Sequence, residues 1–176
     1  MPAAKTVQRK AVRTPEEVVR SYFDAVIARD ADAMAEHWSE DGIEEILPVG
    51  IFRGPAEVRE WFSELFTAIP DFEMTLDRVL AHENDVLVQW RASGDFTGGP
   101  LMGIEPTGKR IELRGLDWLE VEGDKVVRNT AFADGAALAR GMGLLPPQDS
   151  AAEKAMFTAF NAFTKARGAV SDVLSR

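Results

Sequence analysis

The chain of 176 residues contains no cysteine, only two histidines and one tyrosine, and no apolar run of membrane-spanning length. Without cysteine there is no disulfide framework, no thiolate metal site and no cysteine nucleophile, so any compartment is permitted. A bilayer span needs about 18 consecutive apolar residues, and a secretory leader about 7–15 behind a basic start; neither pattern occurs. The cytoplasm is the expected compartment. His37 and His82 are isolated rather than four apart on one helix, which argues against a protein-built transition-metal site. No cofactor is expected either: Gly98, Gly99 and Gly103 lack the spacing of a dinucleotide or phosphate-binding loop, and no glycine-serine nucleophile elbow occurs.

Positive charge is also scarce. Twenty Lys and Arg against 29 Asp and Glu give a net charge of −9. That sign repels phosphate backbones and anionic lipid headgroups, so neither nucleic acid nor a membrane is an expected partner. Residues 1–13 hold Lys5, Arg9, Lys10 and Arg13 without a single acid. They read as a flexible basic arm, with a docking tail as the alternative. Apolar material is plentiful, at 45% of residues, enough for one domain with a sizeable core. The expected division is an arm over 1–13, a domain over 14–147 and a C-terminal amphipathic helical extension over 148–176.

Thr14-Pro15-Glu16-Glu17 is a capping box with proline at the first helical position, and Val18, Val19, Tyr22, Phe23 and Val26 recur at helical spacing behind it. A second helix is expected over Ala31 to Trp38, then a short strand from Ile43 to Leu47. A third helix follows Gly54-Pro55, with Val58, Trp61, Phe62, Leu65 and Phe66 on one stripe. From Phe72 the period drops to two. Val86, Val88, Trp90 and Ala92 share one face of a long strand, Ile111 to Val121 form another, and Lys125 to Phe132 a third. Three helices followed by a curved antiparallel sheet predict an α+β fold with the helices covering one face. After Pro146-Pro147, Ser150 and Glu153 offer another capping box. Met156, Phe157, Phe160 and Phe163 then form an apolar stripe to about Arg167, which needs its own domain, a pocket rim or a neighbouring subunit to cover it.

Alternation in Ile111 to Val121 puts Asp117 in the apolar row of Ile111, Leu113, Gly115, Leu119 and Val121. A carboxylate there loses water, which raises its pKa toward neutral and suits it to proton transfer. The other reading has Asp117 satisfied by a structural contact, or turned outward by a bulge near Gly115. Tyr22 lies on the apolar face of the first helix, where its phenol either donates to a developing oxyanion or bonds a core carbonyl. Trp38, Trp61, Trp90 and Phe96 serve either as walls for a small lipophilic ligand or as core. Asn129 and Ala131 share one face of the last strand. Glu44 and Glu45 are adjacent, so one of them can face inward. Asp134 reads as the cap of a short helix over Ala136 to Arg140.

Phe52-Arg53-Gly54-Pro55, Ile69-Pro70-Asp71, Gly94-Asp95-Phe96-Thr97-Gly98, Pro106-Thr107-Gly108-Lys109 and Gly123-Asp124-Lys125-Val126-Val127 occur in an order and spacing that resemble a known family. From Pro15 to Leu145 the chain resembles the SnoaL-like branch of the nuclear transport factor two-like superfamily, which includes polyketide cyclases, ester cyclases, ketosteroid isomerases and limonene epoxide hydrolases. The resemblance implies a cone-shaped barrel with an apolar cavity between sheet and helices, and a homodimer. Asp117 matches the strand position of the isomerases' oxyanion-stabilising aspartate, and Tyr22 matches their helix-one tyrosine. Leu47 stands where the isomerases carry their base, and Ala131 where cyclases and epoxide hydrolases have an aspartate. Trp90 and Ala92 replace the epoxide hydrolases' arginine and aspartate, and Phe96 an ester-cyclase histidine. No family catalytic set is complete. Two functions follow as expectations: acid/base cyclisation or isomerisation of a carbonyl compound, with Asp117 and Tyr22 as catalytic groups and Trp38, Trp61, Trp90, Phe96, Asn129 and Ala131 around the substrate; or a non-catalytic ligand-binding or dimerisation scaffold.

Overall fold

The computed structural model describes residues 13–174. All but the last residue of the expected basic arm lies outside that range. Helix α1 (Pro15–Ala28) begins as its sequence dictates: the Thr14 side chain accepts from the Glu17 amide, and the Glu17 carboxylate accepts from the Thr14 amide. Val18, Val19, Tyr22, Phe23 and Val26 form its buried stripe. Helix α2 (Ala31–Ala35) is capped by Asp30 and is shorter than expected. Trp38 instead opens strand β1 (Trp38–Leu47), opposite Val126, and is almost wholly buried. Sheet pairing outweighs the helical pattern there.

Strand β2 (Gly50–Arg53) folds back on β1 after Pro48-Val49; four residues are too few to show a period of two, so it had no sequence signal. Helix α3 (Gly54–Ala68), strands β3 (Glu73–His82), β4 (Asp85–Asp95), β5 (Arg110–Glu122) and β6 (Lys125–Ala133), and helices α4 (Gly135–Gly141) and α5 (Ala151–Leu174) complete the chain.

The six strands form one curved sheet in the order β2-β1-β6-β5-β4-β3, open because its edge strands β2 and β3 do not pair. All neighbours are antiparallel except β1 and β6, which run parallel. The expected antiparallel sheet is therefore mixed. The parallel pair is possible because β1 and β6 are far apart in the chain and need no tight turn between them.

Helices α1 and α3 lie on the concave face, and the core fills the space between: Phe23, Met34, Val58, Val88, Leu119 and Val126 are fully or nearly buried. The β4–β5 register runs unbroken from Asp85↔Glu120 to Asp95↔Arg110. There is thus no bulge at Gly115, and Asp117 faces inward.

Asp134 caps α4 by accepting from the Ala137 amide. Ser150 accepts from the Glu153 amide, but the Glu153 carboxylate bonds the Asp149 amide and Arg140 instead of closing a box on Ser150. Helix α5 runs beyond Arg167. Its stripe of Met156, Phe157, Phe160 and Phe163 is exposed, Phe160 at 66%.

Candidate functional site

An apolar cavity of about 100 Å³ opens between the concave face of the sheet and helices α1 and α3, on the scale that holds one small apolar molecule. Trp61, Phe62 and Leu65 of α3 form one wall, Phe23 and Val26 of α1 another, and Trp90, Ile111, Leu113 and Ala131 the sheet side. Leu101 and Met102, from the long loop between β4 and β5, and Leu138 of α4 also reach it. No Lys, Arg or His lines it among the described residues. Its ionisable lining groups are Tyr22, Glu44 and Asp117.

Register brings these groups together. Glu44 of β1 is the parallel partner of Asn129 on β6, and Asp117 of β5 is the antiparallel partner of Ala131, two residues further along β6. The Asn129 amide therefore sits between the two acids. Its Nδ2 donates to Asp117 Oδ2 at 2.8 Å and to Glu44 Oε1 and Oε2 at 3.0 and 3.3 Å. The Trp90 indole donates from the other side to Asp117 Oδ1 at 2.7 Å. The Tyr22 hydroxyl faces the Glu44 carboxyl and the Trp38 indole. That last approach does not close a hydrogen bond of good geometry, since among the described residues Trp38 Nε1 is left without a partner, as is Asn129 Oδ1.

Burial dominates the electrostatics. Asp117 is 6% exposed and Glu44 1%. Loss of water pushes the Asp117 pKa up to about 6, held from rising further by the donors on Trp90 and Asn129. Glu44 is raised well above the usual carboxylate range, first by burial and then by Asp117, against the pull of Asn129 and Tyr22. Burial, with Glu44 and Asp117 adding to it, raises Tyr22 far above an ordinary phenol. The cluster thus holds one acid raised to about 6, a second raised well above the ordinary carboxylate range and a phenol raised above its own.

The SnoaL-like domain model matches residues 19–129. The chain belongs to the SnoaL-like family. Solved structures share this fold at low identity. A candidate SnoaL-like polyketide cyclase from Jannaschia superimposes with a TM-score of 0.68 at 20% identity, covering 79% of this chain and 99% of its own. An NTF2-like protein from Burkholderia thailandensis gives 0.63 at 24% identity, covering 74% and 98%. SalBIII, an epoxide hydrolase/cyclase-like enzyme of pyran ring formation in salinomycin, gives 0.58 at 21% identity, covering 70% and 92%. No curated protein sequence matches the chain.

Within this SnoaL-like cavity, Asp117, Tyr22, Trp61, Trp90 and Ala131 are all lining residues. Asn129 stands behind the lining and touches both acids. Trp38 and Phe96 do not line the cavity. Both are packed into the core, Trp38 edge-on to Tyr22 at 6.0 Å and Phe96 fully buried at the start of the β4–β5 loop. Hydrophobicity alone does not separate a wall from the core. The main addition is Glu44, which alternation narrowed to a choice with Glu45. Pairing with β6 settles that choice: Glu44 and Ile46 line the cavity and Glu45 does not.

Proposed function

We propose that this SnoaL-like protein binds a small lipophilic carbonyl compound in the cavity and moves a proton on it, leading to isomerisation or ring closure. The observation that carries the reading is a pair of buried carboxyls, Asp117 and Glu44, bridged by one amide at the polar end of an otherwise apolar pocket. Asp117, ionised above about pH 6, takes a proton from the carbon next to the carbonyl. The electron pair moves to the carbonyl oxygen, where the O–H groups of Glu44 and Tyr22 stabilise the charge that develops. In a β,γ-unsaturated compound, return of the proton from Asp117 to the γ carbon completes an isomerisation; with a second carbonyl in reach, attack of the enolate carbon closes a ring and Asp117 returns its proton to the alkoxide oxygen so formed. Asn129 holds the two carboxyls in place.

Among the described residues no cation lines the cavity, which speaks against an anionic substrate. The SnoaL-like polyketide cyclase and the ring-forming enzyme among the fold relatives support this class of chemistry by analogy. A second reading, binding without turnover, is favoured by one observation: both Asp117 oxygens already accept a hydrogen bond from the protein. Native mass spectrometry of the purified protein, followed by assay of the compound it releases, separates the two. A released carbonyl compound that wild type converts and Asp117→Asn does not supports catalysis. A bound compound that neither converts contradicts it.

For assembly, the reading is a homodimer formed through the convex face of the sheet. Leu47, Phe132 and Leu116 are successive cross-strand neighbours there, and Trp118 lies in the next row. All four are substantially exposed, an apolar patch that a monomer rarely leaves in water.

A further inference from the structure

The chemistry above needs its two buried carboxyls in different states, and the asymmetry between them originates on β4 and β5. Trp90 is the cross-strand partner of Gly115, and its indole lies across the space a side chain at position 115 would fill. A Cβ on Gly115 would stand 2.2 Å from Trp90 Cζ2 and 2.7 Å from Cε2 and Cη2. Gly115 is not among the glycines of positive φ, so what the position requires of glycine is room, not backbone freedom. Laid over Gly115, the indole points its N–H two residues along β5 to Asp117 Oδ1, at 2.7 Å.

Asp117 thereby has an N–H donor on each oxygen, Trp90 on one and Asn129 on the other. Glu44 shares the longer contacts of the same Asn129 nitrogen, with the Tyr22 hydroxyl facing it. The titratable groups facing Asp117 are Glu44 from β1 and Tyr22 from α1. β4 offers Trp90 and Val88 there, and β6 offers Asn129 and Ala131. A donor to an ionised acceptor is about twice as strong as one to a neutral group, and low dielectric enlarges the difference.

We propose that Gly115 and Trp90 are positioning residues that fix the negative charge of the buried pair on Asp117 rather than on Glu44. The functional meaning of this rests on the acid/base reading of the cavity, but its test needs no turnover. Carboxyl carbon NMR titration of the full chain is compared for wild type, Trp90→Phe and Gly115→Ala, with Phe96→Leu, a core change outside the cavity, as control. The Asp117 midpoint is expected to rise by about one pH unit or more in Trp90→Phe and Gly115→Ala, with Glu44 taking a larger share of the charge, and to stay put in Phe96→Leu. If the crowded Gly115→Ala does not fold, Trp90→Phe, which keeps an aromatic ring but loses the N–H, decides alone. An unmoved Asp117 midpoint in folded Trp90→Phe overturns the proposal. So does an equal rise in the Phe96→Leu control. A midpoint that moves as expected in a protein that turns over no carbonyl compound sustains this inference while removing the catalytic reading.

Discussion

Asp117 and Glu44 are both raised by burial, so the folded chain keeps their protons at pH values where the unfolded chain has released them. Each therefore costs stability as pH rises: Asp117 between its ordinary 3.8 and about 6, Glu44 from its ordinary 4.5 upward. Glu17 and Asp77, which are exposed, and Glu153, which is buried against Arg140, are shifted the other way, so what they add to stability is lost as pH falls. For Asp117 the rise to about 6 is worth roughly 3 kcal/mol at full ionisation. Urea denaturation from pH 4 to 8 should show wild type losing stability across this window and Asp117→Asn losing markedly less. The amide is accommodated because Asn129 Oδ1 has no partner among the described residues and can turn to accept from it. A variant with the wild-type slope, or one destabilised at pH 7, would make Asp117 a structural partner. At this scale the sequence was informative where alternation was unbroken, as at Asp117. It was silent on Glu44 against Glu45, because parity along β1 depends on pairing with a strand some 85 residues away in the chain.

Among the elements, α1, α3 and strands β3 to β6 were legible because each carries its own period and its own punctuation. The early end of α2 and the four residues of β2 were not, since both are set by partners in the sheet. Helix α5 was legible as a helix, but not where its apolar stripe would go. Its described tie to the domain is the ion pair of Arg140 and Glu153 at 2.8 Å. A chain ending at residue 149 should accordingly fold with a melting temperature within a few degrees of the full chain and with the cavity intact. A collapse of the thermal transition would show that α5 belongs to the core.

For the whole molecule, an acidic surface and an apolar convex face set what the protein meets. Phe132 is an exposed residue in the middle of an apolar row on that face, paired with Leu47 on one side and Leu116 on the other. Phe132→Glu should convert a dimer to a monomer in light scattering without loss of secondary structure, and an unchanged dimer would place the contact elsewhere. The order of elements, more than any single motif, made the SnoaL-like fold readable. The parallel pairing of β1 with β6 was not readable, and it is this pairing that brings Glu44 to Asn129 and so to Asp117.

The central claim is that two buried carboxyls in one apolar cavity are split into a base and an acid. Carboxyl carbon NMR of the wild-type protein from pH 4 to 8 tests it directly. The account predicts Asp117 titrating near 6 while Glu44 stays protonated through neutrality. Two carboxyls that both ionise below about pH 5, in the range of ordinary exposed acids, would contradict it.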